Sequence, residues 1–90
     1  MVYMITYDLN GDDKQYDGVI SAIENCAIGE PFSQWQSSYL IKSNLQASGI
    51  WRKIRPYLDD DDTLIIIEVT NNYKGWLTKA DWRQVKSLFG

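Results

Sequence analysis

Seven residues near the start, Val2 to Asp8, constrain the fold of this chain more than any other stretch. Val-Tyr-Met-Ile-Thr-Tyr is built of strand formers, and alternation across a strand puts Tyr3, Ile5 and Tyr7 on one face and Val2, Met4 and Thr6 on the other. Both faces are largely apolar, so the strand belongs inside a sheet that is covered on both sides. It stops on Asp8, a carboxylate that a rigid scaffold would hold beside solvent. A second stretch makes the same demand: Thr63 to Thr70, Thr-Leu-Ile-Ile-Ile-Glu-Val-Thr, is apolar on both faces and is the strongest strand in the sequence.

Helical spacing fills the ground between them. Tyr16, Val19, Ile20 and Ile23 form one apolar stripe and predict a first helix from about Tyr16 to Asn25. Ser48 as N-cap, with Ile50, Trp51, Ile54 and Leu58 on one face, predicts a second helix from about Ser48 to Leu58, which Pro56 should kink or end. Thr78 as N-cap, with Asp81 at the third position after it, predicts a last helix carrying Trp82, Val85 and Phe89. From Phe32 to Lys42 the pattern changes to period two, giving two strands or one long strand bent near Ser37 and Ser38. Pro31, which lacks a backbone donor, places the first of these at a sheet edge.

Composition narrows the chemistry. Ninety residues make one domain, 1–90, and 44% hydrophobic residues are enough for a core. No stretch reaches the roughly 20 apolar residues of a membrane helix, and the N-terminus lacks the pattern of a secretory signal, so a cytoplasmic protein is expected. Histidine is absent, which removes Ser-His and Cys-His nucleophilic catalysis in their ordinary forms and the commonest zinc ligand. Cys26 has no partner cysteine and reads as a small buried hydrophobe. A net charge of −3 lowers the expectation of nucleic-acid binding, although all the basic residues except Lys14 fall between Lys42 and Lys86 and could share a surface.

The acidic clusters have plain explanations. Asp8, Asn10 and Asp12 match the first three ligand positions of an EF-hand calcium loop, but Asp13 and Val19 stand where its glycine and bidentate glutamate belong. Asp59 to Asp62 follows a helix end, where negative charge is disfavoured, and reads as a solvated loop. The simplest role for Asp8 is to cap the turn after its strand by accepting backbone N–H bonds.

The order strand, helix, strand, strand, helix, strand is the ferredoxin-like split β-α-β arrangement, an α+β fold, here with an additional short C-terminal helix. It predicts a four-stranded antiparallel sheet with both longer helices on one face. The other face would be bare and, being apolar, would pair with a second copy in an isologous dimer.

Tyr7-Asp8-Leu9 closing the first strand, the Ser37-Ser38-Tyr39-Leu40-Ile41 strand and the strand from Asp62 to Val69 together resemble the CRISPR-associated protein two family. They are equally similar to its relatives, the virulence-associated protein D toxins and the small SinR-like proteins. The similarity covers about residues 1 to 77 in element order. It implies a homodimer that cleaves phosphodiesters with magnesium or manganese, with Asp8 as both the catalytic residue and the metal ligand. The last helix has no counterpart in this resemblance, and the Asp12-Asp13 loop is unusually acidic for gripping a duplex. The competing expectation is a non-catalytic module that binds a protein partner through aromatic surface around Trp35, Trp51 and Trp76. Of these, Trp51 is expected in the core, because it sits on an apolar helical stripe.

Overall fold

The computed structural model describes residues 1–90 and places the first apolar stretch at the centre of a three-stranded antiparallel sheet. β1 (Val2–Asp8) lies between β2 (Ser38–Lys42) and β3 (Thr63–Val69). Its register sets Tyr3 opposite Ile41 and Glu68, and Asp8 opposite Thr63. The helices are α1 (Asp13–Cys26), α2 (Ala47–Ile54) and α3 (Lys79–Phe89), with a 3₁₀ turn at Arg55–Tyr57 continuing α2. The chain is therefore α+β, with three strands and three helices. No helix is long and apolar enough to cross a membrane.

The strand expected at Phe32 to Gln36 does not form, so the sheet has three strands rather than four. What remains is a single bridge, in which Phe32 and Leu40 exchange backbone hydrogen bonds of 2.9 and 3.0 Å. Phe32 is fully buried, whereas Ser33 to Ser37 are exposed, so nothing beyond the phenylalanine holds this segment against the sheet. Pro31 also withholds a donor just before it. The chain then turns back, and the Ser37 carbonyl receives the Tyr7 N–H at 3.1 Å.

Helix boundaries follow their caps. α1 begins three residues before the expected Tyr16, because the Asp12 carboxylate accepts the Gln15 N–H at 2.9 Å and starts the helix there. α3 starts as its sequence predicts, with the Thr78 hydroxyl accepting the Asp81 N–H at 3.1 Å. α2 ends at Ile54 and Pro56 is carried in the 3₁₀ turn, where a missing donor costs less than inside a helix. α1 passes so close to this turn that a β-carbon on Gly18 would lie 2.5 Å from the Tyr57 ring.

Two cores result, one on each face of the sheet. Tyr3, Ile5 and Tyr7 pack with Ile41 against Val19, Ile23 and Cys26 of α1 and Ile50 and Ile54 of α2. On the opposite face Val2 and Leu40 pack with Phe32 against Val85 and Leu88 of α3. The bare face expected from the sequence is thus half covered, since α3 folds over its Val2 end. What stays open is the β3 side and the Asp8 end, where Ile65, opposite Thr6, and Ile67, opposite Met4, are 53% and 46% exposed.

Candidate functional site

Asp8 ends β1 and projects from the same face as Thr6 and Ile65, by strand alternation and register. It is exposed and shares a shallow depression with Thr6, Tyr7, Thr63, Leu64 and Ile65. The capping work expected of it is done by its neighbours. Asp12 caps α1. Asp62 accepts the Asn10 N–H and the Asp59 N–H, each at 2.8 Å, and also receives the Gln15 side-chain amide. Asn10 donates its side-chain amide to the Asp61 carbonyl at 2.7 Å. These bonds tie the loop after β1 to the loop before β3, and they leave the Asp8 carboxylate without a donor from its own chain.

The N–H bonds from Asn10 and Asp59 hold the Asp62 carboxyl below its ordinary range. Asp62 is therefore a structural anion, committed to joining two loops. Asp59 to Asp61 are exposed, as the solvated-loop reading expects.

Beside Asp8 on the covered face lies a phenol cluster. The Tyr7 and Tyr16 hydroxyls are 3.3 Å apart, and the Tyr7 ring stacks on Tyr39 with centroids 6.5 Å apart. Burial pushes the Tyr7 phenol far above its usual range, and burial likewise raises Tyr39. Tyr7 and Tyr39 stay neutral and serve as hydrogen-bonding and packing partners. Cys26 is buried, and that burial raises its thiol although Lys53 works in the opposite direction. Such a thiol is a core side chain, not a nucleophile.

The donor set sets a limit on metal binding. No group of three or more His, Cys, Asp or Glu side chains comes together anywhere in the chain. One copy therefore does not form a protein cage for a divalent cation. Magnesium is commonly held by one or two carboxylates together with waters and substrate phosphates, a role that fits a carboxylate such as Asp8 and not a closed protein cage.

The tryptophans depart from expectation. Trp51, expected in the core, is 40% exposed. Ile50 and Ile54 take the buried stripe of α2, and the next residue along turns about 100° away from them. Trp51 instead lies beside Leu64, Ile65 and Ile66 at the open side of β3. Trp35 is 38% exposed and sets its ring edge-on to Phe32, and Trp76 is 99% exposed. The shared basic surface that the sequence allows is found on α3, where Lys79, Trp82, Arg83 and Lys86 line one cleft, a placement the sequence reading did not specify. Their i, i+3, i+4, i+7 spacing was the available signal; the apolar stripe through Val85 hid it.

No protein-family model matches this chain, and no curated protein matches it. Among solved structures, the crystal structure of a hypothetical protein, TT1823, from Thermus thermophilus is similar in fold. The TM-score is 0.64 at 18% sequence identity, over 86% of this chain and 90% of the other. At that identity the likeness describes the path of the backbone and carries no activity with it.

Proposed function

We propose that this chain is a ferredoxin-like protein of the CRISPR-associated protein two and virulence-associated protein D superfamily, acting as a homodimer on phosphodiesters with Asp8 as its catalytic carboxylate. The observation that carries the reading is the state of Asp8. It is the exposed last residue of the central strand, and it alone among Asp8, Asp12 and Asp62 takes no part in holding loops or helix ends. An anion kept at a rigid position without structural work is available for a ligand.

The dimer enters for a geometric reason. Ile65 and Ile67 are exposed on the same face as Asp8, and β3 pairs on one side only, leaving an open sheet edge that a second strand or sheet face can cover. A two-fold contact over this strip sets the two Asp8 carboxylates near the axis. When bound there, magnesium or manganese supplies charge neutralisation at the phosphoryl oxygens and an activated water. The chain's own contribution is to fix the two carboxylates on central strands and to exclude water around them with the covered isoleucines.

The test combines assembly and cleavage. Sedimentation should give a dimer for wild type and a monomer for Ile65→Glu. Labelled RNA and DNA should be cleaved in magnesium by wild type, and neither Ile65→Glu nor Asp8→Asn should cleave. Undiminished metal-dependent cleavage by Asp8→Asn overturns the assignment. A dimer that cleaves nothing, with either metal, favours the second reading, a non-catalytic interaction module, which draws on the exposure of Trp35, Trp51 and Trp76.

A further inference from the structure

A cleft of about 600 Å³ lies along α3 and the segment before it, lined by Tyr73, Lys74, Lys79, Trp82, Arg83 and Lys86. Four of these side chains are cationic, and no carboxylate lines the cleft, in a chain whose net charge is −3. Lys79, Arg83 and Lys86 recur at helical spacing on one face of α3, so the concentration of charge is built into the helix rather than scattered over a surface. Tyr73 and Trp82 form the wall, their rings 6.0 Å apart and 20° from parallel, and Tyr73 stacks in turn on Phe89 at 5.1 Å.

Across that aromatic wall the surface changes character. A second cleft of about 310 Å³ shares Tyr73, Lys74, Gly75 and Trp82 with the first, but the rest of its lining is apolar and includes Met4, Trp35 and Trp76. Trp76 is 99% exposed, so its indole contributes nothing to the core and both ring faces are open. Cations on one side of a wall and open aromatic faces on the other are what a polymer of alternating anionic and planar groups requires.

We propose that this pair of clefts binds single-stranded nucleic acid, with Lys79, Arg83 and Lys86 taking the phosphates and Trp76 stacking on a base. The site is separate from Asp8. Both open on the same sheet face, and Met4, which lines the apolar cleft, lies four residues before Asp8, about 13 Å along the strand at ~3.3 Å per residue. A bound strand can run from α3 toward the Asp8 end. Binding at α3 stands whether or not Asp8 cleaves.

Fluorescence anisotropy of short labelled single strands, measured in a chelator so that metal-dependent cleavage plays no part, tests this. Lys79→Gln/Arg83→Gln should weaken binding about tenfold or more at low salt. It should also flatten the dependence of log affinity on log salt by about 1.4, since each phosphate contact to a single strand contributes about 0.7. Trp76→Ala, at a site too exposed to affect folding, should weaken binding by about tenfold through loss of one stacked base. Circular dichroism and a urea midpoint for each variant confirm that the fold is retained. Unchanged affinity and salt slope in the double variant overturn the proposal, as does absence of binding by wild type. Loss in the double variant with no effect of Trp76→Ala, and equal competition by an acidic peptide, overturns it in favour of an acidic protein partner. Because cleavage is read separately, failure of this site and failure of the Asp8 reading give different results.

Discussion

The two faces of the sheet are made from the same strands and end in opposite conditions. On one, Tyr3, Ile5 and Tyr7 meet two helices and are all nearly or fully buried. On the other, Val2 and Leu40 are closed over by α3 and Phe32, but the face opens along β3 and toward Asp8, where Ile65 and Ile67 of β3 stand exposed. Strand sequence alone does not distinguish these faces, because isoleucine is equally hydrophobic on both. Coverage decides. α1 and α2 together span the length of β1 on the first face, while α3 docks over the β2 side of the second and leaves β3 open.

Deleting the same side chain from each face should give the largest difference between them. Ile5→Ala removes a fully buried side chain from the centre of the larger core and should cost about 2–5 kcal/mol, depending on how far its surroundings collapse. Ile67→Ala, on the neighbouring strand, should change the stability of the isolated chain by no more than about 0.5 kcal/mol. Urea unfolding at low protein concentration measures both. A large loss in Ile67→Ala that grows with protein concentration would reveal a second copy seated on the open face, and a small loss in Ile5→Ala would mean that the two faces are not distinguished by coverage at all.

The same contrast explains what the sequence revealed. Period and propensity place the spans of β1, β3 and the start of α3 correctly, with the Thr78 cap legible to the residue, since each rests on local chemistry; the cover on both faces expected of β3 fails, because it is an edge strand with no buried residue. The Phe32 segment misled because alternation between Gln and Ser resembles a strand while offering no apolar face to bury. The apolar stripe starts α1 too late, because Asp12 and Asp13 resemble loop residues, although Asp12 with Gln15 three positions later has the spacing of a capping box. The apolar stripe of α3 predicts that it docks, on sheet surface the other helices leave open or on a second subunit; that it covers only part of that face depends on distant residues such as Phe32 and Leu40. For the candidate site, the position of Asp8 was readable. Its freedom from capping was not, since that depends on Asp62 arriving from 54 positions further along the chain.

Asp62 gives a smaller effect with a defined pH signature. Its folded-state pKa lies below the ordinary value of 3.8 because it accepts N–H bonds from Asn10 and Asp59. The unfolded chain binds that proton more readily, so the stabilisation is fully present above the ordinary value and is lost as pH falls through the folded one. Asp62→Asn should therefore be less stable than wild type at pH 7, with the gap narrowing as both proteins are taken below about pH 4. Urea midpoints at pH 7 and pH 3 give the answer. A gap of constant size would show that Asp62 holds the loops by shape and not by charge, and would weaken its contrast with Asp8.

Asp8→Asn should have the smallest effect on folding of all. The residue is exposed and accepts no hydrogen bond from its own chain, so isosteric loss of its charge should leave stability within about 0.5 kcal/mol of wild type, measured by urea unfolding at pH 7. Two acidic residues at the same end of the molecule are thus separated by a single kind of observation: Asp62 has partners and Asp8 has none. If Asp8→Asn destabilises the chain as Asp62→Asn does, Asp8 is one more element of the loop junction, and its exposure has no functional meaning. If Asp8→Asn is neutral or slightly stabilising while cleavage is abolished, the open end of the sheet retains a carboxylate that folding does not need, and the difference between the two faces becomes the difference between a core and a site.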